Sequence, residues 1–150
     1  MDKKSEQAIL QQIEEKCADA EYGPHSGTET LLTVDDEDYV LNLETEVLRA
    51  CGYTVLEALG GEQALKVAAE HADEIQLLIT DVRMPSMDGI ELGEKIRAVC
   101  PDLKILFISG FAENTPLAGK IAEGQVAFLA KPFTPLALVQ KVRQTLEGHS

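Results

Sequence analysis

The sequence is short of positive charge. Thirteen lysines and arginines stand against 26 aspartates and glutamates in 150 residues, a formal net charge of −13. Phosphate backbones need cations, so direct nucleic-acid binding is not expected. Cationic partners, metal ions among them, are favoured instead. Long apolar runs are missing too, and none approaches the ~20 residues of a membrane helix, so no membrane insertion is expected. Met1-Asp2-Lys3-Lys4 leads into polar residues and not into an apolar stretch, so no secretory signal is read. Cysteine is sparse: Cys17, Cys51 and Cys100 are odd in number, far apart and in no C-x-x-C pattern. A disulfide framework or zinc site is therefore not expected, and a reducing cytosol is the expected compartment. Gly60-Gly61 does not complete G-x-G-x-x-G, which excludes the dinucleotide-binding fingerprint. Internal repeats and low-complexity tracts are absent.

Short apolar runs with polar residues at their carboxyl ends are what the sequence does have. Leu31-Leu32-Thr33-Val34 ends in Asp35-Asp36, Leu77-Leu78-Ile79-Thr80 in Asp81, Ile105-Leu106-Phe107-Ile108 in Ser109, and Ala127-Phe128-Leu129-Ala130 in Lys131-Pro132. Runs of this length, apolar throughout, predict buried parallel strands. Tyr53–Ala58 alternates and predicts a further strand nearer an edge. Between them lie helical patterns. Val40, Leu43 and Val47 share a face that stops at Cys51-Gly52. Ala64, Leu65, Ala68 and Ala69 pack close to the sheet. Leu92, Ile96 and Val99 follow an Asp88 cap, with Pro101 just beyond. The helix around 115–123 is poorly patterned. The last helix starts at Thr134-Pro135, with Leu136, Val139, Val142 and Leu146 inward. Five β–α units predict an α/β fold: a doubly wound parallel sheet with helices on both faces.

Residues 5–20 predict a further helix, with Ser5 as cap and an Ile9, Ile13, Cys17 stripe. Tyr22-Gly-Pro-His-Ser-Gly27 then reads as a linker. The expected organisation is an N-terminal helix and linker over 1–27 and one domain over 28–150. The stripe suits either a helix lying on that domain or a partner-binding helix, a homodimer included.

In parallel sheets, ligands bind outside the carboxyl ends of the strands. Asp35, Asp36, Asp81, Ser109 and Lys131 should therefore meet in one crevice. Three close carboxylates repel unless a cation intervenes. Oxygen-only ligands suit Mg2+, which also recruits phosphate oxygens. Lys131 supplies a point charge for phosphate and Ser109 a hydroxyl donor. No strong base is evident, so the obvious nucleophile is a carboxylate, as in aspartyl-phosphate chemistry. Asp81 stands alone at a central strand end, while Asp35 and Asp36 form an adjacent pair suited to the metal. Each residue alone has a plainer reading, since an Asp after a strand often only caps a helix or turns the chain. The coincidence at four strand ends favours the site. A cis bond at Lys131–Pro132 would fix where the lysine points.

Thr33-Val-Asp-Asp-Glu37, Asp81-Val-Arg-Met-Pro-Ser-Met-Asp-Gly89, Ser109-Gly110 and Lys131-Pro-Phe133 together resemble the signature of the response-regulator receiver family, over about residues 29–147. The resemblance implies a flavodoxin-like sheet in the order 2-1-3-4-5. It implies that Asp81 accepts a phosphoryl group from the phosphohistidine of a histidine kinase or phosphotransfer domain. By the same resemblance Asp35, Asp36 and Asp81 hold Mg2+ with the backbone carbonyl of Arg83. Lys131 pairs with the phosphoryl group, Ser109 hydrogen-bonds it, and Phe128 holds the family's aromatic switch position. Phosphorylation would then switch the surface near the fourth and fifth strands and the helix at 115–123. The chain ends soon after its last helix, so a stand-alone receiver or a piece of a longer protein is expected. Ser26-Gly-Thr-Glu-Thr-Leu resembles the entry to receivers of hybrid histidine kinases. Its place would be cytoplasmic, tethered if such a kinase sits in a membrane. Two rivals remain. Haloacid-dehalogenase-like phosphatases also use a strand-end Asp with Mg2+, but need a second acid where this chain has Arg83. A receiver-like binding module would never be phosphorylated. Slow self-dephosphorylation, not turnover, is expected.

Overall fold

The computed structural model describes residues 26–110 and 126–148. In chain order they form β1 (Thr30–Asp35), α1 (Asp38–Ala50), β2 (Thr54–Leu59), α2 (Gly61–Glu70), β3 (Ile75–Asp81), α3 (Gly89–Arg97), β4 (Lys104–Ser109), β5 (Val126–Ala130) and α4 (Pro135–Leu146). The five strands make one sheet in the order β2-β1-β3-β4-β5, and every pairing is parallel. The order and the all-parallel sense agree with the sequence reading. The helices predicted over 5–20 and around 115–123 lie outside the described residues.

The runs of β1, β3 and β4 are buried on both faces, whereas in the edge strand β5 only Ala127 is buried, Phe128 and Leu129 being half-buried and Ala130 exposed among the described residues. Successive residues alternate between two cores: Leu78, Ile105 and Phe107 pack with Ala64, Leu92 and Ile96 on the α2–α3 side. Leu77, Ile79, Leu106 and Ile108 pack with Leu48, Leu138 and Val142 on the α1–α4 side. A strand covered by helices above and below has no polar face to show, and this is why its sequence does not alternate. The strand β2 is at the edge as expected, but it does not keep the expected alternation: its buried residues, Val55 and Ala58, are three apart and belong to opposite cores.

Local signals set the helix ends. The Asp88 side chain accepts a hydrogen bond from the Glu91 N–H at 2.8 Å, and Thr134 accepts from the Ala137 N–H at 3.0 Å, each capping orphan donors of a first turn. Gly52 follows α1 with φ +100°, a conformation that costs glycine nothing. Two expectations need correction. The inward stripe predicted through Val99 breaks because α3 ends at Arg97, which leaves Val99 59% exposed. Ala69 is also exposed; Ala64 and Ala68 are buried against the sheet and Leu65 packs beside them half-buried.

Arg143 on α4 ties down the segment that enters β1. Its guanidinium donates to Glu29 Oε2 at 2.6 Å, to the Ser26 carbonyl at 3.2 Å and to the Tyr53 hydroxyl at 3.3 Å. Cys100 is a free buried thiol, but Cys51 is disulfide-bonded. The expectation of no disulfide came from separation in sequence, which does not bound distance in a fold.

Candidate functional site

Strand register assembles the site. Val34 pairs with Thr80, so Asp35 and Asp81 emerge side by side where β1 and β3 end. Asp81 pairs with Ile108, which puts Ser109 one residue beyond. Ser109 pairs with Ala130, and the Lys131 N–H donates to the Ser109 carbonyl at 2.8 Å. Four strands thus deliver their terminal polar residues to one rim. The crevice there is about 250 Å³ and includes Asp36, Asp81, Arg83, Ser109 and Lys131 in its lining.

Asp35, Asp36 and Asp81 each offer a carboxylate oxygen, and the three oxygens lie within 4.8 Å of one another. Asp35 is buried, Asp36 exposed and Asp81 half-buried. Burial pushes the Asp35 carboxyl up to about 6 against the help of the Glu37 N–H, and the charges of Asp81 and Asp36 push it the same way. Such a trio, all hard oxygen donors with one member open to solvent, fits a magnesium ion that keeps several waters. The Asp81 carboxylate is held at both ends. Lys131 Nζ donates to Oδ2 at 2.7 Å, and the Arg83 N–H donates to Oδ1 at 3.3 Å. Partial burial works against the Lys131 ammonium. The hydrogen bond and charge of Asp81, with Asp35 and Glu44 behind it, more than offset that and raise its pKa.

The Lys131–Pro132 peptide bond is cis, as the sequence suggested. Ser109 is 2% exposed. Phe128 stacks on Phe107 with ring centroids 5.5 Å apart, the two residues being register partners on β5 and β4. Asp36, Asp81, Arg83, Ser109 and Lys131 line the crevice and Asp35 clusters with two of them, while Phe128 packs against the core through Phe107. Two functional positions escaped the sequence reading. A Cβ on Gly89 would collide with the Asp81 carbonyl oxygen, so this glycine lets α3 sit against the strand end. Glu44 on α1 is buried to 4% exposure, and its charge is felt at Lys131. A helical stripe through Leu41, Glu44, Thr45 and Leu48 was the available signal.

The described helices include none long and apolar enough to cross a membrane. The family model "Response regulator receiver domain" matches residues 31–143. The chain is 39% identical over 122 residues to the sensor kinase CckA of Brucella abortus, covering 81% of this chain but 13% of that kinase. It is 34% identical over 116 residues to the response regulator receiver protein CpdR of the same organism, covering 77% of this chain and 95% of that protein. Among solved structures it is similar to the receiver domain of the hybrid histidine kinase CckA, with a TM-score of 0.68 and 42% identity, covering 78% of this chain and 98% of that one.

Proposed function

The chain belongs to the response regulator receiver family, a phosphoacceptor module of two-component signalling, and we propose that Asp81 is its phosphoacceptor. One observation carries the assignment: Asp81 shares a 4.8 Å cluster with Asp35 and Asp36 and holds the Lys131 ammonium at 2.7 Å. An Asp81 oxygen attacks phosphorus while the phosphorus–nitrogen bond of a phosphohistidine breaks, the electron pair leaving with the imidazole nitrogen. Lys131 stays beside Asp81 and transfers its hydrogen bond to an incoming phosphoryl oxygen, so no charge has to be recruited. Ser109, at the end of β4, donates its hydroxyl to another. Asp35, Asp36, Asp81 and the Arg83 carbonyl would hold a magnesium ion, which when bound would supply neutralisation of the remaining phosphoryl charge.

The donor in this reading is a histidine kinase or phosphotransfer domain. The phosphoryl group is a message, lost by slow self-dephosphorylation and not turned over. Ser109 and Phe128 relay it to the surface near β4 and β5. The receiver occupies residues 28–150, behind an N-terminal helix and linker, in the cytoplasm or tethered there through a longer kinase.

Acetyl phosphate with Mg2+ tests the assignment. Intact-mass analysis should show one added phosphoryl group on the wild-type chain and none on Asp81→Asn. Equal labelling of the variant would sink it. Beryllofluoride with Mg2+ should move NMR signals of Asp81, Ser109 and Phe128.

A further inference from the structure

A second concavity lies behind the acidic rim, between α1 and α4. It is larger, about 610 Å³, and its lining is of the opposite character: Val40, Leu43, Val47, Phe133, Pro135 and Leu138 supply the walls. Glu44 and Lys131 are the ionisable side chains in it. Volume and lining are those of a site for a small organic molecule, apolar with few polar groups to orient the guest.

Glu44 is out of place in such a wall. It is 4% exposed, and its Oε2 has no hydrogen-bond partner among the described residues. An unpaired buried carboxylate is among the costlier groups a fold can carry. Lys131, the nearby cation, relieves it only in part, because its ammonium is bound to Asp81. The carboxyl faces other acids as well, Asp35 at the end of β1 and Asp81 at the end of β3, and burial with these charges pushes it up to about 8. The missing component is a positive charge on an apolar body. The charge of the whole chain, −13, attracts the same kind of ligand.

We propose that the α1–α4 groove is a binding site for a small apolar ammonium compound, an aryl- or alkylamine whose cation pairs with Glu44 while its hydrocarbon part covers Val40, Leu43 and Leu138. The groove shares Lys131 and Gly110 with the phosphoacceptor crevice, so a guest here sits next to the signalling chemistry without occupying it. The inference does not depend on Asp81 being phosphorylated.

The test uses the full chain, 4-phenylbutylamine as probe and its neutral analogue 4-phenylbutanol, followed by methyl NMR titration at two protein concentrations. At pH 9, where Glu44 is ionised and the amine is still a cation, the amine should shift the Val40, Leu43, Val47 and Leu138 methyls and bind about tenfold more tightly than the alcohol, the margin of a charge-assisted hydrogen bond. Glu44→Gln keeps the shape, and should bring the two probes to within roughly twofold of each other. Amide and methyl NMR dispersion of that variant, matched to the wild-type spectrum away from the groove, serves as the check on its fold. Equal affinity of amine and alcohol for the wild-type chain overturns the proposal, as does retention of the tenfold preference in Glu44→Gln. Absence of binding overturns it too. Groove signals that move with protein concentration and ignore the amine would identify a self-association surface instead, and also overturn it.

Discussion

Gly89 lies against the carbonyl oxygen of Asp81, so close that a β-carbon would overlap it. The Gly89 N–H donates to the Val82 carbonyl at 2.9 Å, and Thr80 Cγ2 would sit 3.1 Å from the same added carbon. Helix α3 therefore starts directly against the strand end that carries the phosphoacceptor. Gly89→Ala must push one of them away. Overpacking of this kind costs about 1–3 kcal/mol, so chemical denaturation should show a lowered midpoint. Labelling by acetyl phosphate should slow as well, because the displaced backbone is that of Asp81 itself.

Lys131 is the cation that touches Asp81. Lys131→Ala removes a charge-assisted hydrogen bond of about 1.5–3 kcal/mol and leaves three carboxylates facing one another. If that bond passes to the phosphoryl group during transfer, the labelling rate should fall roughly ten- to a hundredfold. Stopped-flow fluorescence or quenched-flow mass analysis would measure it. An unchanged rate would remove Lys131 from the chemistry.

Asp36 should show two effects of opposite sign. It is the exposed member of the acidic trio, and like charges at this separation repel. Asp36→Asn should raise the melting temperature in the absence of metal. The same change removes a magnesium ligand, so the further rise produced by Mg2+ should shrink. Differential scanning calorimetry with and without the ion reads both. A variant that lost metal-free stability would argue against a repulsive cluster.

Much of this architecture is legible in sequence, for reasons that also mark the limit. Strands covered on both faces must be apolar throughout, so β1, β3 and β4 are visible as runs, and the register of a parallel sheet then brings their terminal residues together. Val99 misled because periodicity continues past the point where a helix stops. Glu44 was missed because a glutamate on a helix is ordinarily solvated. Its place in a stripe with Leu41, Thr45 and Leu48 was the local pattern that could have reported its burial. Gly89 stood inside a quoted motif, but its contact with Asp81 is a property of the turn.

The Phe107–Phe128 stack should couple the two strands it joins. Phe107 is fully buried, so Phe107→Ala should cost about 3–5 kcal/mol. Phe128 is half-buried, and its truncation should cost less. A double-mutant cycle should return a coupling of about 0.5–1.5 kcal/mol beyond area burial. If Phe128 relays the switch, beryllofluoride should reduce that coupling. A coupling unchanged by beryllofluoride would leave the stack a structural feature only.

Glu44 sets a pH dependence whose sign is opposite to that of an ordinary ion-paired acid. Burial raises its carboxyl from 4.5 to about 8, so between those values the folded chain holds a proton that the unfolded chain has released. Stability from this group is intact below about pH 4.5 and is lost as pH rises through 8. The full swing is on the order of a few kcal/mol. Glu44→Gln cannot titrate and should lose less stability between pH 5 and 8.5 than the wild-type chain. Glu44→Leu removes the unpaired polar group as well, and should be the more stable variant at pH 8.5. Parallel urea titrations across that range, taken as differences from wild type so that other groups cancel, give the slope. A wild-type curve parallel to that of Glu44→Gln would mean that the carboxyl is ionised at neutral pH and has already found a counter-charge.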